Sequence, residues 1–242
     1  MRINKALALA KVASRRGAEK LIQEGRVTCN GNVITELGIQ VYPHDIITVD
    51  GRAISIPHTE RAYTYILLNK PIEYISSVYD PQGRKTVLSL LPQSLHKEKV
   101  YPVGRLDYFS EGLLLLSNDG DLTYKITHPK YHVEKEYRVT VRSPIDISKL
   151  KLLHQGFTLS TGEYLAPMKT HSIRHESNKT IFSIILSQGI NRQIRRICAD
   201  MQWVILQLER IRIGSLHLKD IGLSRGEYKI VSKEYIKGHC GL

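Results

Sequence analysis

The chain has 242 residues, with 35 Lys and Arg against 23 Asp and Glu, a net charge of +12 and a pI near 9.6. Such an excess draws a protein to a polyanion, because each phosphate neutralised by Lys or Arg releases condensed counterions, so nucleic acid is the expected partner. The three cysteines, Cys29, Cys198 and Cys240, make no CxxC or other ligand spacing, and no apolar stretch approaches the ~20 residues that cross a bilayer. A disulfide framework, a zinc site and a membrane span are therefore not expected, and a reducing cytoplasm is.

In chain order, Ile3, Leu7, Ala10 and Ala13 share a helical stripe, and Ser14 is placed to cap a second helix whose buried face is Ala18, Leu21 and Ile22. Gly25 supplies a left-handed stop. Asn30-Gly31 between Arg26–Cys29 and Asn32–Ile34 predicts a type I′ hairpin, and Ile46–Val49 is a further strand ending at Asp50-Gly51. Arg2, Lys5, Lys11, Arg15, Arg16, Lys20 and Arg26 give this short module a basic face suited to phosphates. Arg15 and Arg16 stand in a first helical turn, where cations oppose the helix dipole, which favours a binding role over a merely solvated one. Residues 1–55 thus read as one domain and 56–62 as a linker, with mixed polar content and Pro57 in the stretch from Ile54 to Ala62.

Residues 63–242 alternate strands with short helices. Strands are predicted at Tyr63–Asn69, Tyr74–Val78, Gly112–Ser117, Tyr137–Val141, Thr180–Leu186, Ile205–Ile213 and Gly226–Val231. Helices are predicted at Thr86–Leu91, Asp121–Thr127, Ile147–Leu153, Asn191–Met201 and Ser232–Lys237. The mixture indicates an α+β fold with a mainly antiparallel sheet flanked by short helices. The run Leu113 to Leu116 reads as a strand buried on both faces, which puts Asp107 in a polar loop at the rim of a rigid sheet, where reacting groups are well positioned.

An Asp before a strand is commonly only a turn residue. Here the whole segment, Gly104-Arg105-Leu106-Asp107-Tyr108-Phe109-Ser110-Glu111-Gly112-Leu113-Leu114-Leu115-Leu116 continuing to Gly120, resembles the active-site motif of the RsuA/RluB/RluF family of ribosomal RNA pseudouridine synthases. The resemblance recurs in order at His128-Pro129 with Lys135-Glu136-Tyr137-Arg138-Val139, at Gln188-Gly189-Ile190-Asn191-Arg192-Gln193-Ile194-Arg195-Arg196, and at Leu208–Gly214 and Gly226–Tyr228. Phe109, Ser110, Ser117 and Ile197 depart from the family pattern without removing a reacting group. The N-terminal module resembles the αL RNA-binding motif first seen in a small-subunit ribosomal protein.

The resemblance implies a pseudouridine synthase fold over residues 63–242 and the isomerisation of a uridine in ribosomal RNA or a pre-ribosomal particle, by a monomer. It gives the nucleophile's role to Asp107, the ion pair to Arg195 in preference to Arg196, and stacking on uracil with help in C5 deprotonation to Tyr137. Arg105 beside the nucleophile is a wedge or phosphate contact, and Arg192 and Arg196 are phosphate contacts with Arg2, Lys5, Arg15, Arg16 and Arg26. The reaction breaks N1–C1′, turns the base and rejoins it through C5 with no net redox change, so no cofactor is expected. No metal is expected either, because Pro129 interrupts the helical spacing of His128 and His132.

The third motif and Leu208-Glu209-Arg210 are closer to the RluB/RluF branch, which favours large-subunit over small-subunit RNA. A non-catalytic assembly factor would not need Asp107, Tyr137 and Arg195 together. A glycosidase would need two carboxylates at fixed separation, and Asn118-Asp119-Gly120 reads as a turn, which leaves Asp119 and Asp121 poor candidates.

Overall fold

The computed structural model describes residues 1–56, 62–142 and 145–242, in two compact units, Met1–Ala62 and Tyr63–Leu242.

The first unit opens with helices α1 (Ile3–Leu9) and α2 (Arg15–Gln23), followed by strands β1 (Val27–Cys29), β2 (Asn32–Ile34), β3 (Ile47–Val49) and β4 (Arg52–Ile54) in the antiparallel order β2-β1-β3-β4. Ser14 caps α2 by accepting from Gly17 N at 3.0 Å. Asn30 and Gly31 both have positive φ, as a type I′ turn requires, and so do Asp50 and Gly51. The second turn carries the chain into β4, so Ile54, at the head of the stretch of mixed polar content, belongs to a strand; residues 57–61 of the expected linker lie outside the described residues. Helix α1 is shorter than its predicted stripe: Ile3 and Leu7 are buried, whereas Ala10 and Ala13 lie beyond its end. The unit has its own apolar core, in which Ile3, Leu7, Ala18, Ile22, Val27 and Ile47 are each at most 1% exposed.

The second unit is built on a sheet ordered β11-β12-β8-β13-β7-β5-β15: β5 (Tyr65–Lys70), β7 (Glu111–Ser117), β8 (Lys135–Arg142), β11 (Lys169–Glu176), β12 (Lys179–Leu186), β13 (Ile205–Ile213) and β15 (Tyr228–Val231). The two-residue strands β6 (Tyr101–Pro102) and β14 (Leu216–His217) pair with β7 and β13, and β9 (Phe157–Thr158) pairs separately with β10 (Tyr164–Leu165). The helices are α3 (Gln93–His96), α4 (Gly120–Thr127), α5 (Ile147–Leu152), α6 (Gln193–Asp200), α7 (Leu218–Ile221) and α8 (Lys233–Cys240). Pairing is antiparallel except between β7 and β13.

Alternate residues of β7 feed two cores. Leu113 and Leu115 join Leu67, Ile126 and Ile236 on one face, while Leu114 and Leu116 join Ile66, Leu68, Val87 and Leu106 on the other. This two-sided burial explains a run without polar alternation. A third core forms where the Ile194–Ile197–Cys198 face of α6 packs on Val139, Ile184 and Leu208. The parallel junction requires Gly112: its φ is +101°, and a Cβ there would collide with the Arg210 carbonyl.

Two predicted elements differ. Tyr74–Val78 is not a strand; only Ile75 makes an isolated bridge, to Thr86. The predicted helix at Thr86–Leu91 is a 3-10 turn over Val87–Leu90. Asn118-Asp119-Gly120 is less a free turn than a helix start, with buried Asp119 capping α4 by accepting from Asp121 N and Leu122 N.

Candidate active site

Residues 103–110 link β6 to β7 and are held in place by contacts to their backbone. Gly104 has φ +77°, and Ser110 N donates to Asp107 O at 3.0 Å. Ser76 Oγ donates to Leu106 O at 2.9 Å and accepts from Leu106 N at 3.1 Å, and Glu73 N donates to Tyr108 O at 2.7 Å. The side chain of Lys70, at the end of β5, is fully buried beneath this loop. Its Nζ donates to the carbonyls of Pro71 (3.0 Å), Asp107 (3.2 Å) and Ser110 (2.7 Å). Burial pushes its pKa down to about 8, with Asp107 and Glu111 pulling the other way and Arg210 adding to the fall.

Helix α6 brings cations to the same loop. Arg195 Nε stands 3.3 Å from Asp107 Oδ2, close enough for an ion pair but out of line for a hydrogen bond, while its Nη2 donates to Phe109 O (2.8 Å) and Ser110 Oγ (3.0 Å). Arg192, which precedes the helix in a left-handed conformation, places Nη1 3.8 Å from the same carboxylate oxygen. Arg196 is turned away and donates to Thr161 Oγ1 and Glu163 Oε2, so its guanidinium serves a link to the β9–β10 connection.

Asp107 opens on a cavity of about 280 Å³, at the small end of ligand clefts, and is the only carboxylate among the described residues that line it. Arg105, Lys135, Tyr137, Gln188, Asn191, Arg192, Arg195 and Arg210 contribute the other principal polar groups. Tyr137 is half-buried on the β8 face it shares with Val139 and Val141, directly across from Arg210 on β13. Arg105 is exposed. No group of three or more His, Cys, Asp and Glu that could hold a metal occurs among the described residues, and His128 instead accepts from Lys130 N in a 3-10 turn.

In the first unit Arg2, Arg15 and Arg16 are exposed and Lys5 is partly buried. Arg26 is engaged by the chain itself, with Nε and Nη2 donating to both carboxylate oxygens of Asp50 and Nη1 donating to Glu24. It braces the β3–β4 turn.

Lys70, Lys135 and Arg210 are not among the residues expected from sequence. The signal for Lys70 is a lysine-proline pair closing an otherwise apolar strand; Lys135 and Arg210 are single cations on strand faces that are otherwise apolar.

The sequence pattern of RNA pseudouridylate synthases matches residues 64–200. This chain belongs to that family. The S4 domain pattern matches residues 1–47, the unit described above as two helices and a small sheet. An uncharacterized RNA pseudouridine synthase of Aquifex aeolicus is 40% identical over 248 residues, covering 98% of this chain and 97% of that protein. The ribosomal large subunit pseudouridine synthase B of Bacillus subtilis is 37% identical, covering 98% and 94%. A crystal structure of a pseudouridylate synthase superimposes with a TM-score of 0.67 at 26% identity, over 98% of both chains. As in the rest of the family, then, the chain is an isomerase that makes pseudouridine in RNA, and the sheet and cavity above are its pseudouridine synthase fold.

Proposed function

We propose that the chain isomerises a uridine in large-subunit ribosomal RNA, in the cytoplasm, with Asp107 as the nucleophile. The observation that carries the reading is Asp107 itself: a carboxylate fixed by its own loop, facing Arg195, in a cavity whose described lining offers no second carboxylate. A glycosidase-like pair is therefore not available there. Asp107 attacks C1′ or removes the C2′ proton, Arg195 holds the carboxylate and its loop, and Tyr137 offers a ring on which the extruded uracil stacks. Arg105 at the rim fills the space the base vacates or holds a phosphate.

Residues 1–55 act as the RNA-gripping domain, 56–62 as the linker and 63–242 as the catalytic domain. Arg2, Lys5, Arg15 and Arg16 meet phosphates, with Arg192 adding one at the cavity mouth. Arg26 and Arg196, both already paired with carboxylates, make weaker contacts than their sequence positions imply. The large-subunit choice is supported by the name of the Bacillus subtilis relative and by the third motif.

The test is a map of pseudouridines in ribosomal RNA from cells with and without the gene. Loss of one large-subunit site, restored by the wild-type gene and not by Asp107→Asn, is the expected result. Loss of a small-subunit site instead would move the substrate, and an unchanged map would overturn the reading.

A further inference from the structure

Five cationic side chains line the cavity, yet its one carboxylate is already approached by two of them, Arg192 and Arg195. Of the remaining three, Arg105 is exposed to solvent, while Lys135 and Arg210 project from one face of the β8–β13 ladder. Arg210 is 4% exposed; its Nε donates to Leu113 O at 2.7 Å, and its buried Nη2 has no hydrogen-bond partner. Lys135 makes its one described hydrogen bond to Ile126 O, at 2.9 Å. Burial, and next the neighbouring Arg210, push the Lys135 pKa down to about 8, so the two cations work against each other in the free protein. Bracing Leu113 accounts for one edge of the Arg210 guanidinium and leaves the other unexplained. A fold that brings a buried and a half-buried cation together, with a donor unmatched, is arranged for an anion that arrives later.

The reaction supplies one. When N1–C1′ breaks heterolytically, the electron pair stays on the uracil ring and spreads from N1 onto O2 and O4, while the sugar remains with Asp107 or as the glycal. We propose that Lys135 and Arg210 form the cradle for this detached uracil anion, donating to its carbonyl oxygens while the ring turns from N1 to C5. When C5 attacks C1′, the bond from Asp107 to C1′ breaks and its electron pair leaves on the carboxylate, or, from the glycal, C2′ takes back the proton that Asp107 removed; the C5 proton is then lost and N1 takes one up, which completes the product. Donors placed in advance where charge develops stabilise the transition state and contribute little to the ground state. The inference rests on Asp107 being the nucleophile of a uridine isomerase, as proposed above.

The test uses full-length protein and a ribosomal RNA fragment carrying the mapped uridine, synthesised with uridine, 2-thiouridine or 4-thiouridine at that position. Wild-type turnover of the uridine fragment is measured first, and its absence would count against the proposed function rather than the cradle. Lys135→Met is expected to lower the single-turnover rate about 10²-fold with RNA affinity within twofold of wild type. Arg210→Lys, which keeps the charge and removes the free Nη2, should do the same; if it fails to fold for want of the Leu113 bond, Lys135→Met decides.

Sulfur accepts hydrogen bonds poorly, so the wild-type enzyme loses on a thio fragment what the variant has already lost. The variant's rate deficit should therefore shrink at least about threefold on one of the two thio fragments, which also identifies the oxygen each cation meets. Deficits of equal size on all three fragments would overturn the proposal. So would wild-type rates, or a loss of affinity matching the loss of rate, which would make these cations phosphate contacts.

Discussion

The ammonium of Lys70 donates at 2.7 Å to the carbonyl oxygen of Ser110, tying the last residue of β5 to the last residue of the Asp107 loop. The same group reaches Asp107 O, so a buried cation fixes the backbone on either side of the candidate nucleophile's loop without touching its carboxylate. Lys70→Met should leave RNA affinity intact and lower turnover by about 10²-fold, the cost of misplacing a reacting group by an ångström or so. Its pH signature distinguishes this from loss of the fold. The folded pKa is about 8 and the unfolded one about 10.5, so between those values the unfolded chain binds more protons and stability rises with pH. Wild type should gain stability relative to Lys70→Met from pH 8 to pH 10.5 in denaturant melts. A constant difference across that window would mean that burial does not lower the pKa of this lysine.

Asp107→Asn is nearly isosteric and removes both the charge and the nucleophilic oxygen. Turnover should fall by at least about 10⁴-fold, with RNA affinity largely kept, because affinity comes from phosphate contacts elsewhere. A variant forming pseudouridine near the wild-type rate would remove Asp107 from the mechanism.

Arg195→Lys keeps a positive charge but loses the planar fork that spans Phe109 O, Ser110 Oγ and the approach to Asp107. Turnover is expected to drop about 10- to 100-fold with little change in RNA binding. Parallel losses of rate and affinity would recast Arg195 as a phosphate contact.

Gly112→Ala places a methyl group against the Arg210 carbonyl at a positive φ, at the parallel β7–β13 contact. Thermal melts should show a loss of about 1–3 kcal/mol or more, and turnover should fall because Arg210 and the Asp107 loop share that junction. A neutral result would mean that the two strands part easily.

Much of this site is legible in the sequence because its signals are local. The Asp107 loop is marked by glycine before it and by an uninterrupted apolar strand after it, and Asn30-Gly31 fixes its turn by backbone conformation alone. Other features depend on distant partners. Tyr74–Val78 holds strand-favouring Tyr, Ile and Val, yet Glu73 has positive φ and the Ser76 hydroxyl is bonded to Leu106, so tertiary contacts hold it as a loop. Strand β11 has no clear sequence signal because it is an edge with mostly exposed residues and no apolar face to read. The helical spacing of Arg192, Arg195 and Arg196 ranks the arginines only by resemblance, since Glu163, which draws Arg196 away, is far along the chain. Lys70, Lys135 and Arg210 carry in sequence only the faint signal of single cations on apolar strands; the folded sheet brings Lys135 and Arg210 to one cavity and buries Lys70 beneath the Asp107 loop.

The basic N-terminal unit should supply much of the salt dependence of RNA binding. Arg15 and Arg16 are exposed in the first turn of α2, and neither contributes to that unit's apolar core. Arg15→Gln with Arg16→Gln in the full-length chain should therefore fold normally, weaken binding to ribosomal RNA and flatten the plot of log affinity against log salt by about 0.7–0.9 for each phosphate no longer neutralised. Deleting residues 1–55 should have a larger effect of the same kind while leaving a folded catalytic unit, since the cores of the two units are built from separate residues. Filter binding across a salt series and a thermal melt of each protein make the comparison. Wild-type affinity and slope in the truncated chain would mean the basic face is only solvated surface, and an unfolded truncation would mean that the second unit depends on the first.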